Sequence, residues 1–135
     1  YVAALLSELV SADGEVLAIH PGDLLATKKL TAKLRDRPVV RVMQGDGTLG
    51  PRGLKSDQLY DRIWFGGALP RLPRPIREAM YDPLGRAVGF LGPRFRPQDL
   101  VCLVRRGDQI DERPIARMKV PILSGRAGWV RKAQS

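Results

Sequence analysis

Gly45, Gly47, Gly50, Pro51, Gly53, Gly66, Gly67, Pro70, Pro73 and Pro75 puncture the middle of this chain. A long helix cannot run through such spacing, because proline removes a backbone donor and interior glycine costs helix stability. The apolar segments on either side are short and rich in β-branched residues: residues 15–19 (EVLAI), 38–43 (PVVRVM), 86–91 (RAVGFL) and 100–104 (LVCLV). They read as strands, with residues 24–27, 108–112 and 118–123 as further strand candidates. Only residues 2–10 (VAALLSELV) have the Ala/Leu content of a helix. One helical turn is expected at 76–81, and the LPRLPRP run at 69–75 is expected to be extended. Short strands, frequent turns and little helix predict a mainly β fold, a small β-barrel with a short N-terminal helix. The expected organisation is a single domain over 1–135, with residues 45–75 as a Gly/Pro-rich insertion or arm and 124–135 as a basic C-terminal tail.

The charge is one-sided. Residues 1–51 carry six Lys/Arg against six Asp/Glu, whereas residues 52–135 carry 17 against eight, which accounts for the whole net charge of +9. Fourteen of those 17 are arginine, whose planar fork grips phosphate with two hydrogen bonds and stacks on bases. A cationic back half points to a polyanionic partner.

Catalytic and metal chemistry find little support. The chain has one cysteine, Cys102, and one histidine, His20. The first lies in an apolar strand and reads as a small buried hydrophobe; the second precedes Pro21 at a turn. One of each excludes an internal disulfide and argues against a Cys/His zinc cluster. The Gly45–Gly53 cluster lacks the Gly-Lys-Ser/Thr of a phosphate loop. The carboxylates mostly sit beside arginine or glycine, as turn residues and charge partners. No catalytic residue, metal or cofactor is expected, and the chain reads as a binding protein, not an enzyme.

The basic residues form groups. Lys28, Lys29, Lys33, Arg35 and Arg37 precede the PVVRVM strand, where Arg41 is expected to face outward. Arg71, Arg74 and Arg77 are three apart, which in a polyproline II segment lines them on one edge that suits a phosphate backbone. Arg94 and Arg96 flank Phe95 on a loop tip, a shape for stacking on an unpaired base. Arg105, Arg106, Arg113, Arg117, Lys119, Arg126, Arg131 and Lys132 continue to the C-terminus, with Trp129 among them. Together these are the expected RNA-binding residues.

Residues 100–123, LVCLVRRGDQIDERPIARMKVPIL, resemble the signature region of the small-subunit ribosomal protein seventeen family. Cys102, Gly107–Asp108, Arg113–Pro114–Ile115 and Lys119 stand in the family's order, with Ala116 in place of its usual serine. Residues 33–42 (KLRDRPVVRV) resemble its first strand pair. The resemblance implies an OB-type barrel lying on ribosomal RNA and surrounded by neighbouring proteins of a ribonucleoprotein particle. A chain that starts at Tyr1 instead of Met is consistent with trimming or with loss of a leader, and so with an intracellular, organellar (mitochondrial) setting. Two alternatives stand beside the structural RNA-binding protein: a non-catalytic accessory subunit of a large protein assembly, and a small β-barrel enzyme that binds an anionic metabolite through arginine.

Overall fold

In the computed structural model, residues 2–10, 13–37 and 39–129 are described. The chain divides into two compact units, Tyr1–Asp46 and Gly47–Ser135.

The first unit holds α1 (Val2–Leu9), β1 (Val16–His20), α2 (Leu24–Lys33) and β2 (Val40–Gln44). β1 and β2 are parallel, in register from Val16↔Val40 to His20↔Gln44. The strand expected at residues 24–27 is instead the first turn of α2. Asp23 caps that helix by accepting the Ala26 N–H at 2.8 Å, which satisfies one of the donors a helix start leaves unpaired. Thr27 is its one buried residue, and its hydroxyl bonds back to the Asp23 carbonyl at 3.0 Å. Arg37 donates to the Ser7 hydroxyl at 2.9 Å and pairs with Glu8, which ties the chain after α2 to α1. Arg41 pairs with Glu15 at 3.0 Å.

The second unit begins with a 3-10 segment, Gly47–Leu54, kinked at Gly50, whose φ of 58° is in the left-handed region that favours glycine. There follow β3 (Arg62–Leu69), α3 (Arg74–Ala79), β4 (Arg86–Leu91), β5 (Gln98–Arg106) and β6 (Gln109–Met118). The sheet order is β3-β4-β5-β6. β3 and β4 are parallel, with α3 as their crossover; β4/β5 and β5/β6 are antiparallel. Phe65, Leu69, Ile76, Met80, Ala87, Val101 and Leu103 form the core, in which α3 covers one face of the sheet.

This overturns the OB-like barrel. A barrel closes only if its first and last strands pair; here β3 and β6 are the two edges, and among the described residues nothing joins them. Each unit instead contains a parallel strand pair bridged by a helix, the βαβ arrangement of a mixed α/β sheet. Residues 45–75 contain the 3-10 segment, all of β3 and the start of α3. The extended strip expected at Arg71, Arg74 and Arg77 is broken, because α3 starts at Arg74 with Pro73 as its N-cap and Pro75 in its first turn, where proline is tolerated.

Candidate active site

In open parallel sheets, ligands bind off the carboxyl ends of the strands. The first unit ends its two strands at His20 and Gln44, which face each other in register. The Gly45 N–H donates to the His20 carbonyl at 3.0 Å, closing the strand ends together. Beyond β1 the chain turns sharply through Pro21 and Gly22. The Gly22 N–H donates to His20 Nδ1 at 3.0 Å, so the neutral imidazole carries its hydrogen on Nε2. A Cβ on Gly22 would lie 2.3 Å from the His20 ring, so a larger residue there would displace the imidazole from this position. The result is a donor, His20 Nε2, at the end of one strand and Asp46 just past the end of the other.

In the second unit, β3 carries a bulge: Phe65 pairs with Gly89 and Ala68 with Phe90, so Gly66 and Gly67 have no partner in the β4 register. Bulges of this kind cluster beside active sites, where they re-aim the backbone. The segment 121–129 closes onto the strand end. The Ala68 N–H donates to the Pro121 carbonyl and the Leu123 N–H to the Ala68 carbonyl, both at 2.8 Å. The segment then folds on itself, with the Trp129 N–H donating to the Leu123 carbonyl at 3.0 Å. Thr48, fully buried, accepts the Ala127 N–H on its hydroxyl at 3.1 Å. Glycine makes this approach possible: a Cβ on Gly67 would stand 3.1 Å from the Leu123 nitrogen, and one on Gly128 2.5 Å from the Leu123 oxygen. The Trp129 indole Nε1 is buried beside this closure with no acceptor among the described residues.

The expected RNA-binding residues are distributed over several elements of the two units. Lys28, Lys29 and Lys33 are exposed on α2 and Arg35 in the turn after it, while Arg37 is engaged with α1. Arg71 is exposed just past β3; Arg74 and Arg77 are on α3, where Arg74 pairs with Glu78 at 2.7 Å. That hydrogen bond, more than any other contact, holds the Glu78 carboxyl below its ordinary pKa. Arg94 lies over the Phe95 ring, with Arg96 beside them in the same loop. Arg105 is structural: its Nη1 donates to the Met80 carbonyl at 2.7 Å and reaches those of Glu78 and Arg77, capping the C-terminus of α3. Arg106 pairs with Asp111. Arg117 pairs with Asp99, whose hydrogen bond raises the Arg117 pKa. Arg113 and Lys119 are exposed, as is Arg126, which makes a contact of its own. Trp129 belongs to the closing segment described above, and Arg131 and Lys132 lie outside the described residues. The sequence predicts His20 only as a turn residue and does not single out Thr48, Gly67 and Gly128 as functional positions. The available signal was a Gly-Asp-Gly-Thr run directly after a valine-rich strand, the composition of a strand's carboxyl end in a parallel sheet.

Comparison with known proteins accords with the mixed α/β sheet. The family model for protein-L-isoaspartate(D-aspartate) O-methyltransferase matches residues 1–127. Among curated relatives, the protein-L-isoaspartate O-methyltransferase of Methanoregula boonei is 32% identical over 130 residues, covering 96% of this chain and 56% of that protein. That of Methanothrix thermoacetophila is 33% identical over 132 residues, covering 96% and 59%. That of a Bradyrhizobium species is 31% identical over 130 residues, covering 93% and 56%. The chain thus spans a little over half the length of these relatives. The matches run through both blocks that resemble ribosomal protein seventeen, residues 33–42 and 100–123, and overturn that resemblance. With it go the structural RNA-binding role, the ribosomal RNA partner and the expectation of a non-enzyme, since the matched family is one of methyltransferases.

Proposed function

This chain belongs to the protein-L-isoaspartate O-methyltransferase family, and from that premise we propose that it takes part in methyl transfer to the free carboxylate of isoaspartyl residues in damaged polypeptides. The observation that carries the reading is the family match over residues 1–127, laid on a fold whose glycine-dependent closures stand at the carboxyl ends of parallel strands.

The chemistry asks little of acid or base residues. The free α-carboxylate of an isoaspartyl residue is ionised at neutral pH, so methyl transfer to its oxygen would need no general base, the donor's sulfonium S–CH3 bond breaking to leave a neutral thioether. What the protein supplies is position and exclusion of water. The methyl donor that such a family implies, S-adenosylmethionine, brings a methyl group on a positively charged sulfur, electrophilic enough for a carboxylate. The carboxyl end of β1 fits the nucleoside part of such a donor. There His20 Nε2–H is fixed by the Gly22 bond to Nδ1 and is suited to a ribose hydroxyl oxygen. The buried closure of residues 121–129 on Gly67–Ala68 and Thr48 gives the second unit a rigid strand end for the acceptor peptide.

The direct test is transfer of labelled methyl from S-adenosylmethionine to a short isoaspartyl peptide, with its aspartyl isomer as control. Base-labile label on the isoaspartyl peptide alone is the expected result. Equal labelling of both isomers, or none from folded protein that binds the donor, would overturn the reading. His20→Ala is expected to weaken donor binding about three- to tenfold in calorimetry, the loss of one hydrogen bond worth about 0.5–1.5 kcal/mol; unchanged affinity would remove His20 from the donor site.

A further inference from the structure

Phe95 is 78% exposed at the tip of the β4–β5 loop, an uncommon place for a large apolar ring with no covering element. It borders a groove of about 480 Å³ whose other lining residues are Arg94, Lys119, Val120, Pro121 and Ile122. Resting on the methyl-transfer reading, we propose that this groove is a docking site for the substrate polypeptide, selecting an acidic, extended segment that carries an aliphatic side chain close to the modified residue.

Three features define the occupant. The first is charge. Arg94 and Lys119 flank the groove and no carboxylate lines it. Asp99, close by in sequence, is neutralised by Arg117 at 2.9 Å. Arg96, in the same loop, has no ion-pair partner among the described residues, so the field at the groove is positive and complements carboxylates. The second is shape and polarity. Val120, Pro121 and Ile122 form an apolar strip facing Phe95, a slot for an aliphatic side chain. Arg94 already covers one face of the ring, 5.2 Å from its centroid, which leaves less of it for a stacked base.

The third is rigidity and place. Gln98, fully buried, holds both walls with one amide. Its Nε2 donates to the Pro93 carbonyl at 3.0 Å, at the root of the Phe95 loop, and the Val120 N–H donates to its Oε1 at 2.9 Å. The groove therefore exists before anything binds, which lowers the ordering cost of binding. It is also continuous in chain with the candidate site. Residues 120–122 line the groove, while Pro121 and Leu123 are the residues bonded to Ala68 at the end of β3. A polypeptide lying in the groove is aligned by the segment that closes the strand end.

The test uses the full chain and a short fluorescent peptide of alternating Glu and Leu, containing no isoaspartyl residue, with fluorescence anisotropy as readout. Binding by the acidic peptide, loss of binding when each Glu is replaced by Lys, and an about tenfold weaker Kd in both Phe95→Ala and Lys119→Glu are the expected results. Arg62→Ala, on the far end of β3, should bind as the parent does. Both test residues are exposed, so melting temperatures should be unchanged and lost binding reads directly on docking. Equal binding of the Lys peptide, parent-like affinity in both variants, or tighter competitive binding by an oligothymidylate or by phosphatidylglycerol vesicles would each overturn the proposal. Because the probe cannot be methylated at an isoaspartyl group, docking can fail while methyl transfer persists, and methyl transfer can fail while docking persists.

Discussion

Gly128→Val should abolish methyl transfer and lower the thermal midpoint of the second unit by roughly 12 to 24 °C. The Cβ alone would stand 2.5 Å from the Leu123 oxygen, 2.7 Å from Thr48 Cγ2 and 3.2 Å from Leu69 Cδ2. The first of these is backbone and cannot rotate away. The second belongs to a buried side chain whose hydroxyl accepts the Ala127 N–H, and the third to a core leucine. Overpacking of this kind costs about 1–3 kcal/mol, and the two further methyl groups of valine push it to the upper end. A loss of about 3 kcal/mol in a unit of this size corresponds to the stated fall, at about 4–8 °C per kcal/mol. The functional loss is separable from the stability loss. At a temperature where the variant is still folded by circular dichroism, the segment 121–129 no longer lies on Gly67 and Ala68, so transfer remains absent. A variant with the parent's midpoint and activity would show that the closure on Thr48 does not organise the site.

β3 fell within the expected arm, whereas β1, β2, β4 and β5 were readable from composition, because each carries a run of β-branched and aliphatic residues on a pleated, half-buried surface. Their order was not, and the reason lies in α2. That helix has no apolar stripe: Leu24 and Leu25 are 60% and 61% exposed. Its start is fixed by the Asp23 cap, its Thr27 and Thr31 hydroxyls bond carbonyls four residues back, and Thr27 and, just past its end, Leu34 are its buried anchors. Periodicity cannot find such a helix, and without it β1 and β2 have no crossover and cannot be seen as parallel. The glycines misled in a related way. Gly66 and Gly67 look like a loop but form a bulge within β3, and Gly50 looks like part of an extended arm but sits 3.4 Å, at its absent Cβ, from Ile76 in the core.

The arginine excess was real and its reading too simple. Arg37, Arg41, Arg52, Arg74, Arg106 and Arg117 are engaged with carboxylates of this same chain, and Arg105 with backbone carbonyls. A count of charges cannot distinguish these from Arg94 and Lys119, which line a groove without any acid. Surface pairs of this sort add little stability, about 0–1 kcal/mol each, but they remove their arginines from the field a ligand meets. Arg94 and Lys119 thus leave positive charge without a lining carboxylate beside an exposed aromatic ring, while bases such as Lys28, Arg35, Arg71 and Arg113 stand exposed elsewhere.

The second large effect follows from the amide that frames that groove. Gln98→Leu keeps the volume of a fully buried side chain but removes both of its hydrogen bonds, leaving the Val120 N–H and the Pro93 carbonyl without their partner. An unsatisfied buried polar group costs about 1–3 kcal/mol, and both groups regain some water as the walls part, so the expected loss is about 2–4 kcal/mol. The same relaxation has a local signature. The Val120 amide should exchange its hydrogen faster than in the parent by more than the global destabilisation explains, while amides in the β4–β5 ladder, such as Val101, slow or quicken only with the global term. Acidic-peptide binding should weaken in parallel, because Phe95 and the Val120–Ile122 strip remain present but no longer stand at a fixed separation. Gln98→Glu is the informative counterpart: it keeps an acceptor for Val120 and loses the donor to Pro93. Its buried carboxyl can donate to the Pro93 carbonyl only when protonated, so its stability deficit relative to the parent should shrink at low pH. A Gln98→Leu protein with parent-like exchange at Val120 would mean that the two walls are held by other contacts, and that the groove's shape owes nothing to the amide beneath it.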